Sequence, residues 1–241
     1  MRAPRSILPL ALEGVSFALG GRALIGGLDA RFERGSRTIV LGPNGAGKSL
    51  MLRLCHGLIA PTEGRVRWLG EAAAEARRRQ AMVFQTPVLL RRSVAANLHH
   101  ALAVRGLGWR RRRDRTAEAL AAVGLAGAAR QPARTLSAGE QQRLALARAW
   151  ALAPDVVFLD EPTASLDPAA TRAIEDIIDA LHAGGTKVVM TTHDLGQARR
   201  LADEVLFLHR GRLIERAPAD RFFTAPASRE AAAYLAGELL W

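Results

Sequence analysis

The stretch Gly42-Pro43-Asn44-Gly45-Ala46-Gly47-Lys48-Ser49 decides how the rest of the chain is organised. It fits the pattern G-x-x-x-x-G-K-[ST], in which glycines allow backbone N–H groups to converge on phosphate oxygens. Residues 38–41 before it form a short apolar run that indicates a buried strand, and residues 50–58 after it have the composition of a helix. A strand, a glycine-rich loop and a helix in this order predict a phosphate-binding loop.

The residue types of this loop indicate how it would hold a nucleoside triphosphate. The start of the following helix adds a partial positive charge beside the loop. Lys48 is long enough to reach the outer phosphates, and the Ser49 hydroxyl is a ligand for Mg²⁺. The loop alone leaves open a kinase, a GTPase, a motor or a transporter ATPase. The predicted nucleotide-binding residues are Gly42, Pro43, Asn44, Gly45, Ala46, Gly47, Lys48, Ser49 and Leu50.

Composition and charge limit the broad class of the protein. Hydrophobic residues make up 49% of the 241 residues and charged residues 24%, as in an ordinary globular protein. The formal net charge of +11 comes mainly from arginine, because Lys48 and Lys187 are the only lysines. The arginine runs at 77–79 and 110–113 lack interleaved aromatic residues, which favours solvated faces over a membrane-surface or nucleic-acid patch.

Cysteine usage and hydropathy predict a cytosolic chain. Cys55 is the only cysteine, so no disulfide can form within the chain. No uninterrupted apolar run approaches the roughly 20 residues that a membrane-spanning helix needs. We therefore expect a soluble chain whose membrane role, if it has one, runs through a partner.

The order of apolar patterns predicts a single α/β domain over residues 1–241. Residues 10–32 read as two strands around Gly20-Gly21, with a loop at Gly26-Gly27. The near-continuous apolar runs at 156–159 and 187–191 suit a parallel sheet that is covered on both faces. Alanine, leucine and arginine dominate residues 86–153 with helical spacing, which predicts an all-helical insertion. Residues 1–85 and 154–241 would then form the catalytic core.

An apolar strand that ends in two acids follows the insertion. Residues 156–160 end in Asp160, which would hold Mg²⁺ directly or through water. Glu161 beside it would orient or deprotonate an attacking water. An acid pair after a strand is commonplace, and its significance here comes from the phosphate-binding loop that precedes it.

Residues 136–143, Leu-Ser-Ala-Gly-Glu-Gln-Gln-Arg, precede a predicted helix. Ser137 with Glu140 three residues later fits a capping box, which is a purely structural interpretation. The run also lies just before the strand with the acid pair. At this point the sequence resembles the ATP-binding cassette (ABC) family of transporter ATPases, whose signature LSGGQ stands here as LSAGE.

The other marks of that family follow in its order over residues 10–216. Gln85 ends a strand as the Q-loop glutamine does, residues 165–167 match the D-loop, and His193 matches the H-loop histidine. The resemblance implies a P-loop NTPase fold: a mostly parallel sheet, an N-terminal antiparallel β subdomain and the helical insertion. It implies ATP and Mg²⁺ as cofactors. The implied catalytic residues are Glu161, His193, Lys48 and Gln85, and the implied metal ligands are Ser49, Gln85 and Asp160.

Two departures from the family pattern affect the expected binding. Leu19 stands where the family usually has an aromatic residue that stacks on adenine, so we expect weak discrimination between ATP and GTP. Ala138 and Glu140 replace a glycine and a glutamine of the signature. Ser137 and Gly139, the residues expected to contact phosphate, remain.

The resemblance also implies partners. In this family the signature of one subunit covers the nucleotide held by the other, so one P-loop and one signature imply a head-to-tail homodimer with Ser137 and Gly139 acting in trans. Single-cassette chains resemble importer ATPases, which work with an integral membrane permease and an extracytoplasmic substrate-binding protein. The implied location is peripheral, on the cytoplasmic face of the inner (plasma) membrane.

Two segments resemble the ATPases of bacterial oxyanion importers, tungstate most closely, then phosphate and molybdate: residues 88–94 and 193–198. Residues 86–90 and Val94 would form either an apolar groove for the permease or simply the core of the helical region. The alternative function is a non-transport ABC ATPase acting on the ribosome or DNA, which the net charge would suit. The second cassette or long coiled coil typical of such proteins is absent from this sequence, and no nucleic-acid partner is expected.

Overall fold

The computed structural model describes residues 5–238, so residues 1–4 and 239–241 of the predicted domain lie outside the described part of the chain. The strands are β1 (Leu10–Leu19), β2 (Arg22–Phe32), β3 (Arg37–Leu41), β4 (Glu63–Trp68), β5 (Gln80–Val83), β6 (Val156–Asp160), β7 (Lys187–Thr191), β8 (Glu204–His209) and β9 (Arg212–Pro218). The α-helices are α1 (Lys48–His56), α2 (Val94–Val104), α3 (Trp109–Ala122), α4 (Ala138–Ala151), α5 (Pro168–Ala183), α6 (Leu195–Leu201), α7 (Ala219–Thr224) and α8 (Arg229–Leu235).

A six-stranded sheet forms the centre of the fold in the order β5-β6-β7-β3-β8-β9. Its strands are parallel except for β9, which pairs antiparallel with β8. Side chains alternate between two cores: Val40 packs on the side of α1, whereas Ile39 packs on the side of α4 and α5. Because helices cover both faces, side chains on both faces of the central strands are buried, which explains the nearly continuous apolar runs.

A three-stranded antiparallel sheet, in the order β2-β1-β4, packs against the core on the side of α1, which also contains Val40. The predicted turn at Gly20-Gly21 is present, but the predicted loop at Gly26-Gly27 is wrong. Both glycines lie inside β2, where the register with β1 shifts between the pairs Val15–Leu28 and Phe17–Ile25. A bulge absorbs the glycines without ending the strand, since pairing continues on both sides of it.

Helices α2, α3 and α4 pack together, in agreement with the predicted helical region. Leu98, Leu102 and Leu120 are buried in its core. Val94 is also fully buried, which excludes it from an exposed groove and leaves the core interpretation for this residue. Val88, by contrast, is 70% exposed.

The capping residues predicted from the sequence are found at the starts of α4 and α5. Ser137 caps α4 in a complete capping box with Glu140, and Asp167 caps α5 with Pro168 in its first turn. These caps satisfy backbone N–H groups that would otherwise lack partners. Within residues 5–238 the helices are too short or too polar to cross a membrane.

Candidate functional site

The loop between β3 and α1 can fold as it does only with glycine at two positions. A Cβ atom at Gly42 would lie 2.1 Å from the carbonyl oxygen of Leu208, and one at Gly47 would lie 2.5 Å from Cδ1 of Ile25. Gly47 also has a φ of 99° and begins α1 as its N-cap. The loop therefore packs tightly between the β8–β9 hairpin and the antiparallel sheet, which fixes its shape.

The remaining loop residues have distinct positions. Asn44 and Gly45 are exposed at the tip, and Ala46 is buried, with its carbonyl accepting a hydrogen bond from Gly211 N (3.0 Å). The carbonyl of Pro43 accepts from Ala46 N at 3.1 Å. Leu50 packs its side chain against the core, so a nucleotide contact there would have to come from its backbone.

Lys48 lies folded against this loop. Its ammonium group donates to the carbonyls of Gly42 (2.8 Å) and Pro43 (3.2 Å), and it lies 3.9 Å from Oε1 of Glu161. The side chain is only 6% exposed, and burial lowers the pKa of Lys48, while the nearby carboxylates of Glu161 and Asp160 oppose the shift. The loop thus carries a buried ammonium group held by two uncharged carbonyls and one acid.

Ser49 and Asp160 meet beside the loop. The Ser49 hydroxyl donates to Oδ1 of Asp160 at 2.8 Å, and the Thr191 hydroxyl donates to the same oxygen at 2.9 Å. A hydroxyl and a carboxylate are the hard oxygen ligands that Mg²⁺ prefers. No group of three or more His, Cys, Asp or Glu residues suited to a metal occurs within residues 5–238. The donor set therefore fits a metal that keeps water and takes its other ligands from phosphates.

Glu161 occupies a strained backbone conformation next to Asp160. Its φ of 44° is unusual for a residue with a side chain, and such strain concentrates at functional sites. Its backbone N–H donates to Thr191 Oγ1 (2.9 Å) and to the Thr191 carbonyl (3.2 Å). These bonds to β7 hold the conformation in place and aim the carboxylate at the loop.

His193 lies on the other side of that carboxylate. Its Nδ1 is 2.9 Å from Oε2 of Glu161, while its side chain is 60% exposed. Asp194 caps the following helix α6, so the histidine is held between the end of β7 and a helix start. Glu161 is thereby flanked by Lys48 and His193, a geometry in which a carboxylate can orient a water molecule and accept its proton.

Gln85 lies apart from this cluster, in a cleft between the helical region and the loop that follows Glu161. The side chain is exposed, and the strand end before it is anchored by Gln142, whose amide donates to the carbonyl of Phe84 (3.3 Å). The cleft has a volume of about 250 Å³ and includes Gln85, Ala138, Pro162 and Ser165 among its lining residues. Gln85 thus lies beside the signature, and within residues 5–238 its side chain makes no hydrogen bond to Ser49 or Asp160.

Ser137 and Gly139 lie in a second cleft, formed by the start of α4 and the start of α5. Its lining includes Ser165, Leu166 and Asp167 but no residue of the phosphate-binding loop. The Ser137 hydroxyl and backbone N–H both donate to Oε2 of Glu140 at 2.8 Å, and these bonds lower the pKa of Glu140. A Cβ at Gly139 would lie 2.9 Å from Cβ of Ala170, so glycine also allows the two helices to approach closely.

Thr191 is the functional position that sequence reasoning missed. It binds both acids of the site, through Oδ1 of Asp160 and the N–H of Glu161. It pairs directly with Asp160 across the parallel strands β6 and β7. The hydroxyl at the carboxyl end of β7 was the available sequence signal. Its role depends on the register between β6 and β7, which exists only in the folded sheet.

Comparison with known proteins gives consistent results. The family model described as ABC transporter matches residues 25–164. The phosphate import ATP-binding protein PstB 2 of Natronomonas pharaonis is 39% identical over 96% of this chain and 88% of its own. The tungstate uptake system ATP-binding protein TupC of Peptoclostridium acidaminophilum is 37% identical over 90% of this chain and 100% of its own. The nickel import ATP-binding protein NikO of Rhodobacter capsulatus is 38% identical over 94% of this chain and 95% of its own.

A solved structure matches the fold as well. It is a dimeric ATP-binding cassette in a post-hydrolysis state, bound to ADP and inorganic phosphate. The TM-score is 0.78 with 27% sequence identity, and the match covers 87% of this chain and 98% of that one. The three-dimensional likeness therefore extends over most of this chain.

Proposed function

We propose that the cluster around Glu161 hydrolyses ATP, because the chain belongs to the ABC transporter family, as an importer's ATP-binding subunit that hydrolyses ATP for transport. The observation that carries the proposal is the position of the Glu161 carboxylate, 2.9 Å from His193 and 3.9 Å from Lys48. No other acid of the site has both neighbours. Glu161 is the proposed general base.

Each side chain has a role that follows from its contacts. Glu161 orients the attacking water and accepts its proton, and His193 holds the carboxylate through Nδ1. Lys48 exchanges the carbonyls of Gly42 and Pro43 for phosphate oxygens, which offer its charge a stronger partner. Ser49 and Asp160 would hold Mg²⁺, which neutralises charge on the phosphates. Gln85, in the adjacent cleft, is proposed to reach the metal only after the helical region moves.

We propose that two chains assemble head to tail. Ser137 and Gly139 line a cleft that the phosphate-binding loop of the same chain does not enter, so their phosphate contacts require a second copy. The similarity to a dimeric cassette supports this arrangement. In the dimer, the Ser137 hydroxyl would exchange Glu140 for a phosphate oxygen of the partner's nucleotide.

The proposed location is the cytoplasmic face of the inner membrane, through a permease. An extracytoplasmic substrate-binding protein would deliver the solute on the other side. The exposed Val88, close in sequence to Gln85, is a candidate contact for the permease. Movement at Gln85 would then be transmitted to the membrane subunit.

An oxyanion such as tungstate, or else phosphate or molybdate, is the proposed solute. The phosphate and tungstate relatives support this choice, and the nickel relative, which has similar identity, makes nickel the competing solute. Co-purification from gently solubilised membranes would identify the permease. Uptake of tungstate, phosphate and nickel would then be compared in cells with and without the chain, and the solute is the ion whose uptake is lost. Recovery of ribosomes or DNA at high salt in place of a permease would contradict the transport proposal.

The role of Glu161 is tested by Glu161→Gln. The variant keeps the shape of the side chain but cannot accept a proton, so MgATP binding should persist while turnover falls by at least about 100-fold. The trapped nucleotide should hold a dimer, detectable by light scattering. Glu118→Gln, an exposed acid on α3, is the matched control and should leave turnover unchanged. A monomeric Glu161→Gln chain with bound MgATP would contradict the proposal.

A further inference from the structure

A basic cleft lies in the helical region, and no residue of the phosphate-binding loop lines it. It has a volume of about 400 Å³ and opens between the segment before α2 and the segment before α4. We call it the arginine cleft. Its lining residues are Arg91, Arg92, Ser93, Arg130, Pro132 and Arg134.

Backbone hydrogen bonds tie the two walls of the arginine cleft together. Ala133 N donates to the carbonyl of Arg92 at 2.9 Å, and Val94 N donates to the carbonyl of Gln131 at 2.9 Å. Ser93 and Pro132 form a β-bridge between these bonds. The Cα atoms of all four arginines are therefore fixed on one rigid unit, which reduces the entropy lost when their side chains converge on a ligand.

The charge in the arginine cleft is not neutralised within the described residues. Several arginines elsewhere in the molecule pair with acids, for example Arg37 with Asp203 and Arg79 with Asp155. Over residues 5–238 no ion pair involves the four cleft arginines, and no acidic side chain lines the cleft. The four guanidinium groups at this opening repel each other, and an anion bound between them would reduce that repulsion.

We propose that the arginine cleft binds a tetrahedral oxyanion group of the phosphate type. Guanidinium groups offer planar pairs of N–H donors that match two oxygens of such a group, and arginine stays charged at every physiological pH. The group belongs either to a free oxyanion or to the headgroup of an anionic phospholipid. The site is separate from the nucleotide site and goes beyond the proposed transport function.

The test compares two double variants with the same change in charge. Arg130→Ala/Arg134→Ala removes one wall of the cleft, whereas Arg110→Ala/Arg111→Ala removes two exposed arginines of α3 that lie outside it. All proteins also carry Lys48→Ala, so that the phosphate-binding loop contributes equally weakly in each. Calorimetric titration with inorganic phosphate and with tungstate tests the free-ion source. Co-sedimentation with phosphatidylglycerol vesicles, against phosphatidylcholine vesicles, tests the lipid source.

The expected result is a loss of affinity of about tenfold or more in the cleft variant and less than about twofold in the α3 variant, for at least one of the two sources. The source that shows this difference is the ligand of the site. Arg91→Gln/Arg92→Gln, from the other wall, should reproduce the loss and guards against misfolding of the first variant. Equal losses in the cleft and α3 variants, unchanged affinity in both, or no binding by the parent protein would overturn the proposal.

Discussion

The two halves of the proposed ATP site are built in opposite ways. Around the phosphate-binding loop, Lys48, Asp160 and Thr191 are buried and bonded to one another or to the loop backbone. At the signature, Ser137 is exposed, and its hydroxyl bonds to the nearby Glu140. A side chain that is buried and fully partnered in one chain is already held in position to bind nucleotide in that chain. A side chain that is exposed and satisfied by a local cap is available to a second chain.

The largest expected effect on stability is at Gly42. A substitution there tests how tightly the phosphate-binding half of the site is packed. In Gly42→Ala the added Cβ would overlap the carbonyl oxygen of Leu208, at 2.1 Å, and the φ of 150° disfavours any side chain. We expect destabilisation of at least about 4 kcal/mol, with loss of nucleotide binding. Thermal unfolding and a nucleotide-binding assay would measure both effects.

Gly127→Ala is the matched control, since a Cβ there meets nothing within 4 Å. It should change stability by less than about 0.5 kcal/mol. A Gly42→Ala chain as stable as this control would mean that the loop is loosely packed, and the contrast between the two halves would disappear.

Buried charge gives the next largest effect, at the opposite end of β7 from Thr191. Lys187 donates to Ser36 and Thr38, both at 2.7 Å, and burial lowers its pKa from 10.5 to about 8. Below about pH 8 the amine is charged in both the folded and the unfolded chain. Between about pH 8 and 10.5 the unfolded chain binds more protons, so stability should rise with pH, by about 3 kcal/mol in total.

Urea unfolding at several pH values between 7.5 and 10.5 would measure this rise in the free energy of unfolding. Lys187→Met keeps most of the side-chain volume and removes the charge, so its free energy of unfolding should change less over the same range. An identical pH dependence in the parent and Lys187→Met chains would show that water reaches the amine, and that this sheet is less tightly closed than described.

A smaller effect is expected at Thr191, which joins the two acids. Thr191→Val keeps the shape and removes the hydroxyl, leaving Asp160 Oδ1 with one donor fewer and Glu161 without one of its acceptors. We expect a loss of stability of about 1–3 kcal/mol and a fall in turnover. Thr191→Ser restores the hydroxyl and should recover turnover, whereas a Thr191→Ser chain as slow as Thr191→Val would assign the effect to packing.

The smallest effect is expected at the signature. In Glu140→Gln the side chain can still cap the helix through its amide oxygen, so stability should change by less than about 0.5 kcal/mol. Removing a negative charge next to Ser137 should favour an approaching phosphate, and ATP turnover should rise by a factor of about two to five. Glu118→Gln serves again as the control, and a decrease in turnover for Glu140→Gln would contradict this view of the signature.

The sequence is most informative where chemistry leaves few choices. The loop needs glycine at 42 and 47 for steric reasons, and Ser137 and Asp167 carry capping signals that act within one turn of helix. These features are local, so short patterns predict them. The α/β architecture with a helical region follows from longer apolar patterns and agrees with the structure.

Features that depend on distant partners were harder to predict. The glycines at 26 and 27 signal a loop on their own, but pairing with β1 keeps them in a strand. Thr191 becomes a site residue only through its register with Asp160. Val94 has the same apolar character as the exposed Val88, and only tertiary packing makes one core and the other surface.

The most direct test of the division between the two halves is complementation by mixing. Lys48→Ala lacks a working loop and Ser137→Ala lacks a working signature, so each chain alone should be inactive. A mixed head-to-tail dimer has one site built from the intact loop of one chain and the intact signature of the other. An equal mixture should therefore recover up to about a quarter of the parent ATPase activity. A mixture as inactive as its separate components would contradict the claim that the two halves meet between chains.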